Sequence, residues 1–202
     1  MKEKLTVSDS KKLFHEQFPY VIPSLYKRIV DEMIVELNLL NHQSKFTQDS
    51  YFCVGLTETF KELTNGYHPE KHLEPLFNAL CNSTNFIPDD IKAISQNKIN
   101  EHKNMSSKDS IDLIVKESSS SIFYSRIFIL GVYKIISRAE DFKELDESNI
   151  NKLINDLAEE FKIPLSRIDK DLSMYKSNIN KIEQAKALLE ETIKSEREKR
   201  KK

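Results

Sequence analysis

Glycine is scarce in this chain and tryptophan is absent, with only three glycines among 202 residues. So few glycines, with few turn clusters between them, argue against a sheet-rich fold. Cysteine occurs twice, at Cys53 and Cys81, 28 positions apart and without a CxxC spacing. That pattern predicts two reduced, buried thiols in a reducing compartment and disfavours a disulfide or metal site. An excess of one charge is missing too. The formal net charge is −1, which excludes the whole molecule as an electrostatic nucleic-acid binder. The opening residues MKEKLTVSDS have no apolar core segment and are not rich in Arg and Ser, so no signal or transit peptide is expected. No GxSxG serine-nucleophile motif occurs anywhere.

Long hydrophobic runs are also lacking, with one partial exception. Ile122 to Ile136 reads IFYSRIFILGVYKII, with eleven of its fifteen residues apolar or aromatic. A helix apolar on every side is either a membrane span or the buried centre of a helical domain. Fifteen residues reach about 22 Å, short of the roughly 30 Å hydrocarbon core of a bilayer. Arg126 and Lys134 lie inside the stretch, and a charge at bilayer depth costs about 3 kcal/mol. The stretch therefore predicts a buried central helix that the remaining chain covers. Arg126 then needs a partner, because an unpaired buried charge is strongly unfavourable. Asp31, Glu32 and Glu36, on another helix, are the candidates.

Apolar residues recur at helical spacing along the rest of the chain. A short helix carries Leu13, Phe14 and Phe18 and ends at Pro19. A second runs from Ser24 to about Asn41 with a broad apolar stripe from Leu25 to Leu40. A third, from Asp49 or Ser50 to Leu63, buries Tyr51, Phe52, Leu56, Phe60 and Leu63, and Asn65-Gly66 stops it. Shorter helices follow Pro69, Pro88 and Lys108, of which the one after Pro88 looks peripheral. Ser118 to Ser121 reads as a turn that caps the central helix, and Ser148 as the cap of an amphipathic helix through Phe161. Two groupings could bind metal. His68 and His72 stand four apart, but Pro69 disturbs the helix there and too few further ligands are near. Asp31, Glu32 and Glu36 lack the ExxH partners of a di-iron bundle. Neither supports a metal or a cofactor, and both read as structural.

After Pro164 the apolar residues Leu165, Ile168, Leu172, Tyr175, Ile179 and Ile182 step by three and four, and Leu189 and Ile193 continue the stripe past Lys186. That is a coiled-coil-like seam on a helix too narrowly striped to stand alone, so it packs on the domain, on a second copy or on another protein. The residues expect a single all-α domain over 1–162, a bundle around the central helix, followed by a helical arm over 163–202. The arm's face, Leu172, Tyr175, Ile179, Ile182, Leu189 and Ile193, is the candidate partner-binding surface, including for self-association. The basic terminus REKRKK offers one alternative, an RNA- or ribosome-associated protein.

Several segments resemble the thylakoid formation protein family of cyanobacteria and plastids. They are Phe18 to Glu32 (FPYVIPSLYKRIVDE), Val35 to Leu40 (VELNLL), Gly66 to Glu70 (GYHPE), His72 to Phe77 (HLEPLF), Ala79 to Cys81, and Tyr124-Ser125-Arg126 with Gly131. The likeness implies an all-helical, non-enzymatic factor of thylakoid membrane biogenesis and photosystem II assembly and repair. It further implies a link to the thylakoid AAA-type protease complex, as adaptor or stabiliser. A cyanobacterial member would work in the cytoplasm and at the cytoplasmic face of the thylakoid membrane, peripherally, with no transmembrane segment and no specific nucleic acid.

Overall fold

Two helices buried over most of their length cross at the centre of the molecule, and the others pack around them. The computed structural model describes residues 4–118 and 123–199. In chain order the helices are α1 (Val7–Gln17), α2 (Ser24–His42), α3 (Ser50–Leu63), α4 (Leu73–Ser83), α5 (Pro88–Glu101), α6 (Ser107–Ser118), α7 (Arg126–Ile136), α8 (Glu147–Glu160) and α9 (Leu165–Lys199). Single 3-10 turns at Glu70–His72 and Phe142–Glu144 precede α4 and α8. The fold is all-α, with no strand among the described residues.

The expected central helix is α7, and eight of its eleven residues are buried. It is shorter than Ile122 to Ile136. Phe123 and Tyr124 lie outside the helix, Ser125 is extended, and its side chain accepts from the Phe128 amide at 3.0 Å, so the helix begins at Arg126. A hydroxyl that satisfies an orphan amide fixes a helix start more firmly than the apolar pattern around it. The serine run expected to cap α7 is described only at Ser118, which ends α6; Ile122 and the other three serines lie outside the described residues. Asp146, whose carboxylate accepts from the Asn149 amide at 2.7 Å, starts α8 in place of Ser148.

Sequence reasoning missed that α3 shares the centre. Nine of its fourteen residues are buried, including Cys53, Val54 and Gly55. Because α3 is enclosed on both sides, its periodicity shows no single face. Phe52, Leu56 and Phe60 join α1, α2 and α4 in one apolar cluster, with Phe14, Ile34, Leu37, Leu76 and Leu80. Tyr51 and Val54 join α6, α7, α8 and α9 in the other, with Ile114, Phe128, Val132, Leu157 and Ile168. The two helices touch backbone to backbone. A Cβ on Gly55 would overlap the Ile127 carbonyl oxygen, and one on Gly131 the Tyr51 carbonyl oxygen. Two of the three glycines are thus spent on this crossing.

Cys53 and Cys81 are both free and buried, and burial pushes each thiol up to about 12. The helix after Pro88, expected to be peripheral, lies directly against α3. Ile91 is buried, and Ser95 hydrogen-bonds Thr57 at 2.6 Å. Further along α5, Lys98 is only 10% exposed and reaches Glu101 at 2.6 Å and both oxygens of Glu117 at 2.9 Å. The Tyr51 hydroxyl donates to Glu117 at 2.6 Å, and His102 Nε2 lies 3.4 Å from that hydroxyl. These groups tie α3, α5 and α6 together through polar contacts that hydrophobic periodicity does not reveal.

Replacing Gly131 with alanine forces α3 and α7 apart and should lower stability by about 2–3 kcal/mol in urea unfolding, as overpacking of a tight core does. A second outcome concerns pH. Burial, reinforced by Lys98, lowers the pKa of His102, while Glu101 and Glu117 oppose that shift. The unfolded chain therefore takes up a proton that the folded chain refuses, and stability is lost as pH falls through about 6.5. For Glu117, burial favours the neutral acid, but Tyr51 and Lys98 outweigh it and hold the pKa below the ordinary carboxylate value. That contribution is lost only on further acidification. The melting temperature should fall between pH 7.5 and 5.5, and His102→Gln should flatten that part of the profile.

Candidate functional site

The Arg126 side chain leaves the first turn of α7 and crosses to α2. Its Nε donates to Glu36 Oε1 at 3.3 Å, and Nη2 donates to Glu36 Oε2, a two-pronged ion pair. Burial works against the guanidinium charge, but the Glu36 carboxylate outweighs it and raises the pKa above the ordinary arginine value. Arg126 and Glu36 are 29% and 19% exposed, too enclosed for solvent to replace either partner fully. The other two candidate carboxylates are engaged elsewhere, Asp31 with Lys11 at 3.8 Å and Glu32 with Arg28 at 2.7 Å. The second charge of α7, Lys134, reaches both Glu62 oxygens at 2.6 and 2.8 Å.

This ion pair forms the floor of an open groove of about 1090 Å³ between α2 and α9. The far wall repeats along α9. Arg167, Asp171, Met174, Asn178 and Lys181 step by four and three, each one residue before a core position of the seam. One stripe of the helix therefore packs inward while its neighbour lines the groove. Tyr124 closes the wall. Its hydroxyl donates to Asp171 at 2.6 Å, and the Arg167 guanidinium lies 4.2 Å from its ring centre. Burial, then Asp171, pushes the Tyr124 pKa up, so the phenol keeps the proton that it donates. Met174 sits against Arg126 Nη1 at 3.3 Å. Val35 and Leu39 supply the apolar part of the α2 wall, and Leu39 is 52% exposed.

The seam of α9 requires a correction. Leu172, Tyr175 and Ile182 were expected to face a partner, yet all three are buried in the chain's own bundle. Ile179 is partly buried between the two apolar clusters. The Tyr175 hydroxyl donates to Glu62, and the Lys134 ammonium lies 4.8 Å from the Tyr175 ring centre. The physical reason is that apolar surface near an open bundle face is covered intramolecularly, without the loss of translational freedom that association costs. Lys186, the polar position of the seam, passes over Gly66, where a Cβ would crowd its stem. The side chains of Leu189 and Ile193 lie outside the described residues, as do residues 200–202 of the basic terminus. His72 stacks on Tyr20 at 4.0 Å, and His68 precedes a cis proline. Among the described residues, no three His, Cys, Asp or Glu side chains are placed to hold a metal ion.

Sequence reasoning named Arg126 and its acidic candidates but missed Tyr124, Arg167, Asp171 and Met174 as a wall. The signal that would have found them is register. Once one stripe of a heptad helix is assigned inward, the preceding positions form the adjoining edge.

The fold and the groove define a class: an all-helical bundle, its last helix built into the core, with an open charge-lined channel along one side. The chain belongs to the thylakoid formation protein family, whose model matches residues 6–202. Protein Thf1 of Prochlorococcus marinus subsp. pastoris is 57% identical over 202 residues and covers 100% of both chains. Protein Thf1 of Prochlorococcus marinus strain MIT 9312 is 58% identical over 191 residues, 95% of each chain. A solved structure of Psb29 superposes with a TM-score of 0.86 at 26% identity, covering 98% of this chain and 100% of that one. No helix among the described residues is long and apolar enough to cross a membrane.

Removing one partner of the ion pair leaves the other charge enclosed. Glu36→Ala should cost about 2 kcal/mol, less than a fully buried pair would. The double variant Arg126→Met with Glu36→Leu should be more stable than the sum of the single losses predicts. A double-mutant cycle in urea measures both.

Proposed function

We propose that this protein is a non-enzymatic factor of thylakoid membrane biogenesis and of photosystem II assembly and repair. It acts by holding partner proteins, among them the thylakoid AAA-type protease complex, which it adapts or stabilises. It works peripherally, at the cytoplasmic face of the membrane. The observation that carries this reading is family membership over almost the whole chain, and the Psb29 likeness in fold adds to it. The α2–α9 groove supports a binding role, because it offers a long mixed apolar and charged surface. The seam of α9 serves the interior, so the handle for partners is the groove wall and the distal part of the helix.

A tagged full-length chain, recovered from solubilised cyanobacterial thylakoid membranes, should retain AAA protease subunits. Leu39→Glu, which leaves the core untouched, should reduce that retention several-fold. A strain lacking the protein should hold less of the protease and recover photosystem II activity more slowly after intense light. Unchanged protease levels and recovery would remove this reading. Deleting residues 165–202 is not a clean test, because it strips Ile168, Leu172, Tyr175 and Ile182 from the core. That truncation should abolish the cooperative thermal unfolding transition seen by circular dichroism.

A further inference from the structure

The charges of the groove do not balance, and the imbalance has a sign. Asp31 is paired with Lys11, Glu32 with Arg28 and Glu36 with Arg126, while Asp171 accepts from the neutral Tyr124 hydroxyl and keeps its charge, which leaves three lining cations against one carboxylate. Of the lining cations, Lys27 on α2 and Lys181 on α9 have no ion-pair partner among the described residues, and both are exposed. Arg167 is stacked on Tyr124, is exposed, and has no carboxylate partner among the described residues. Between these cations lie exposed apolar surfaces, Leu39 at 52% and Met174 at 37%. The α9 wall from Arg167 to Lys181 extends about 21 Å, the length of a helix of about 14 residues.

We propose that the groove receives an amphipathic helix of a partner protein, with its apolar stripe on Leu39, Val35 and Met174 and acidic residues along its flanks. This rests on the binding role argued above and names the chemistry of the occupant. Apolar contact supplies most of the affinity in such helix-in-groove docking. The unmatched Lys27, Lys181 and Arg167 set orientation and reject basic helices, which is how interface charge usually acts. A flat anionic bilayer fits less well. The groove is concave and the apolar residues lie inside it, where a flat headgroup surface does not reach.

The test uses the full chain and a display library of amphipathic peptides of about 14 residues. The apolar stripe is fixed, and each flanking position is randomised between Glu and Lys. Selection on the native protein should enrich Glu at the flanks. Selection on Lys27→Glu/Lys181→Glu should shift the preference toward Lys, and Leu39→Glu should cut binding of the selected peptide at least tenfold. All these substitutions are on the surface, and circular dichroism verifies the fold. Enrichment of Lys on the native chain, no enrichment, or indifference to the charge reversal would overturn the proposal. So would displacement of the selected peptide by anionic phospholipid vesicles. Failure here with protease retention intact would overturn the acidic-helix occupant alone. Loss of protease retention in Leu39→Glu with no peptide selectivity would likewise overturn the occupant and keep the groove as a protein contact.

Discussion

Two backbones touch where α3 crosses α7, and the rest of the molecule is built on that contact. Gly55 faces the Ile127 carbonyl and Gly131 faces the Tyr51 carbonyl, so neither position has room for a single carbon. Close approach lets both helices bury nearly everything they carry. It also divides the interior, because α3 then presents Phe52, Leu56 and Phe60 to one side and Tyr51 and Val54 to the other. The helices α1, α2, α4 and α5 cover the first side, α6 and α8 the second, and α9 contributes to both. Since Ser125 caps α7, Arg126 emerges at the edge of the crossing, where it can reach α2. The groove floor is therefore a consequence of where a helix begins.

Charge is used in this bundle to join layers. Lys134 and Tyr175 meet on Glu62, linking α7 and α9 to α3. Lys98 and Tyr51 meet on Glu117, linking α5 and α3 to α6. Arg126 meets Glu36, linking α7 to α2. In each case a long basic side chain carries its charge from one helix to a carboxylate on another. Such contacts are selective in geometry, so they fix which helix lies beside which. The apolar contacts supply most of the stabilisation but discriminate less.

Much of this was legible in the sequence, and the remainder was hidden for identifiable reasons. Helical periodicity located the elements, prolines and caps bounded most of them, and the family resemblance in Phe18 to Cys81 and around Arg126 led to the right family. The centrality of α3 was obscured because a helix enclosed on both sides has no polar face to define an apolar one. The cluster around Lys98 was missed because its members are 66 residues apart at the extremes, Tyr51 and Glu117. No local pattern records such a contact. The α9 seam was recognised as apolar and assigned to the wrong neighbour. A heptad stripe states that a face must be covered and is silent about what covers it.

The docking of α9 also bears on how the chain reaches its fold as it is synthesised. Both apolar clusters include residues from this last helix, Ile182 in one and Ile168, Leu172 and Tyr175 in the other. A nascent chain emerging N-terminus first therefore holds most of its interior in place before the part that closes it exists. Until Ile168, Leu172 and Tyr175 are released, Ile129, Val132, Leu130 and Leu63 lack neighbours that the finished bundle gives them. Closure is a late, long-range event, the kind that slows folding and leaves apolar surface open in the interval. The helix that walls the groove is thus also the one whose arrival completes the bundle.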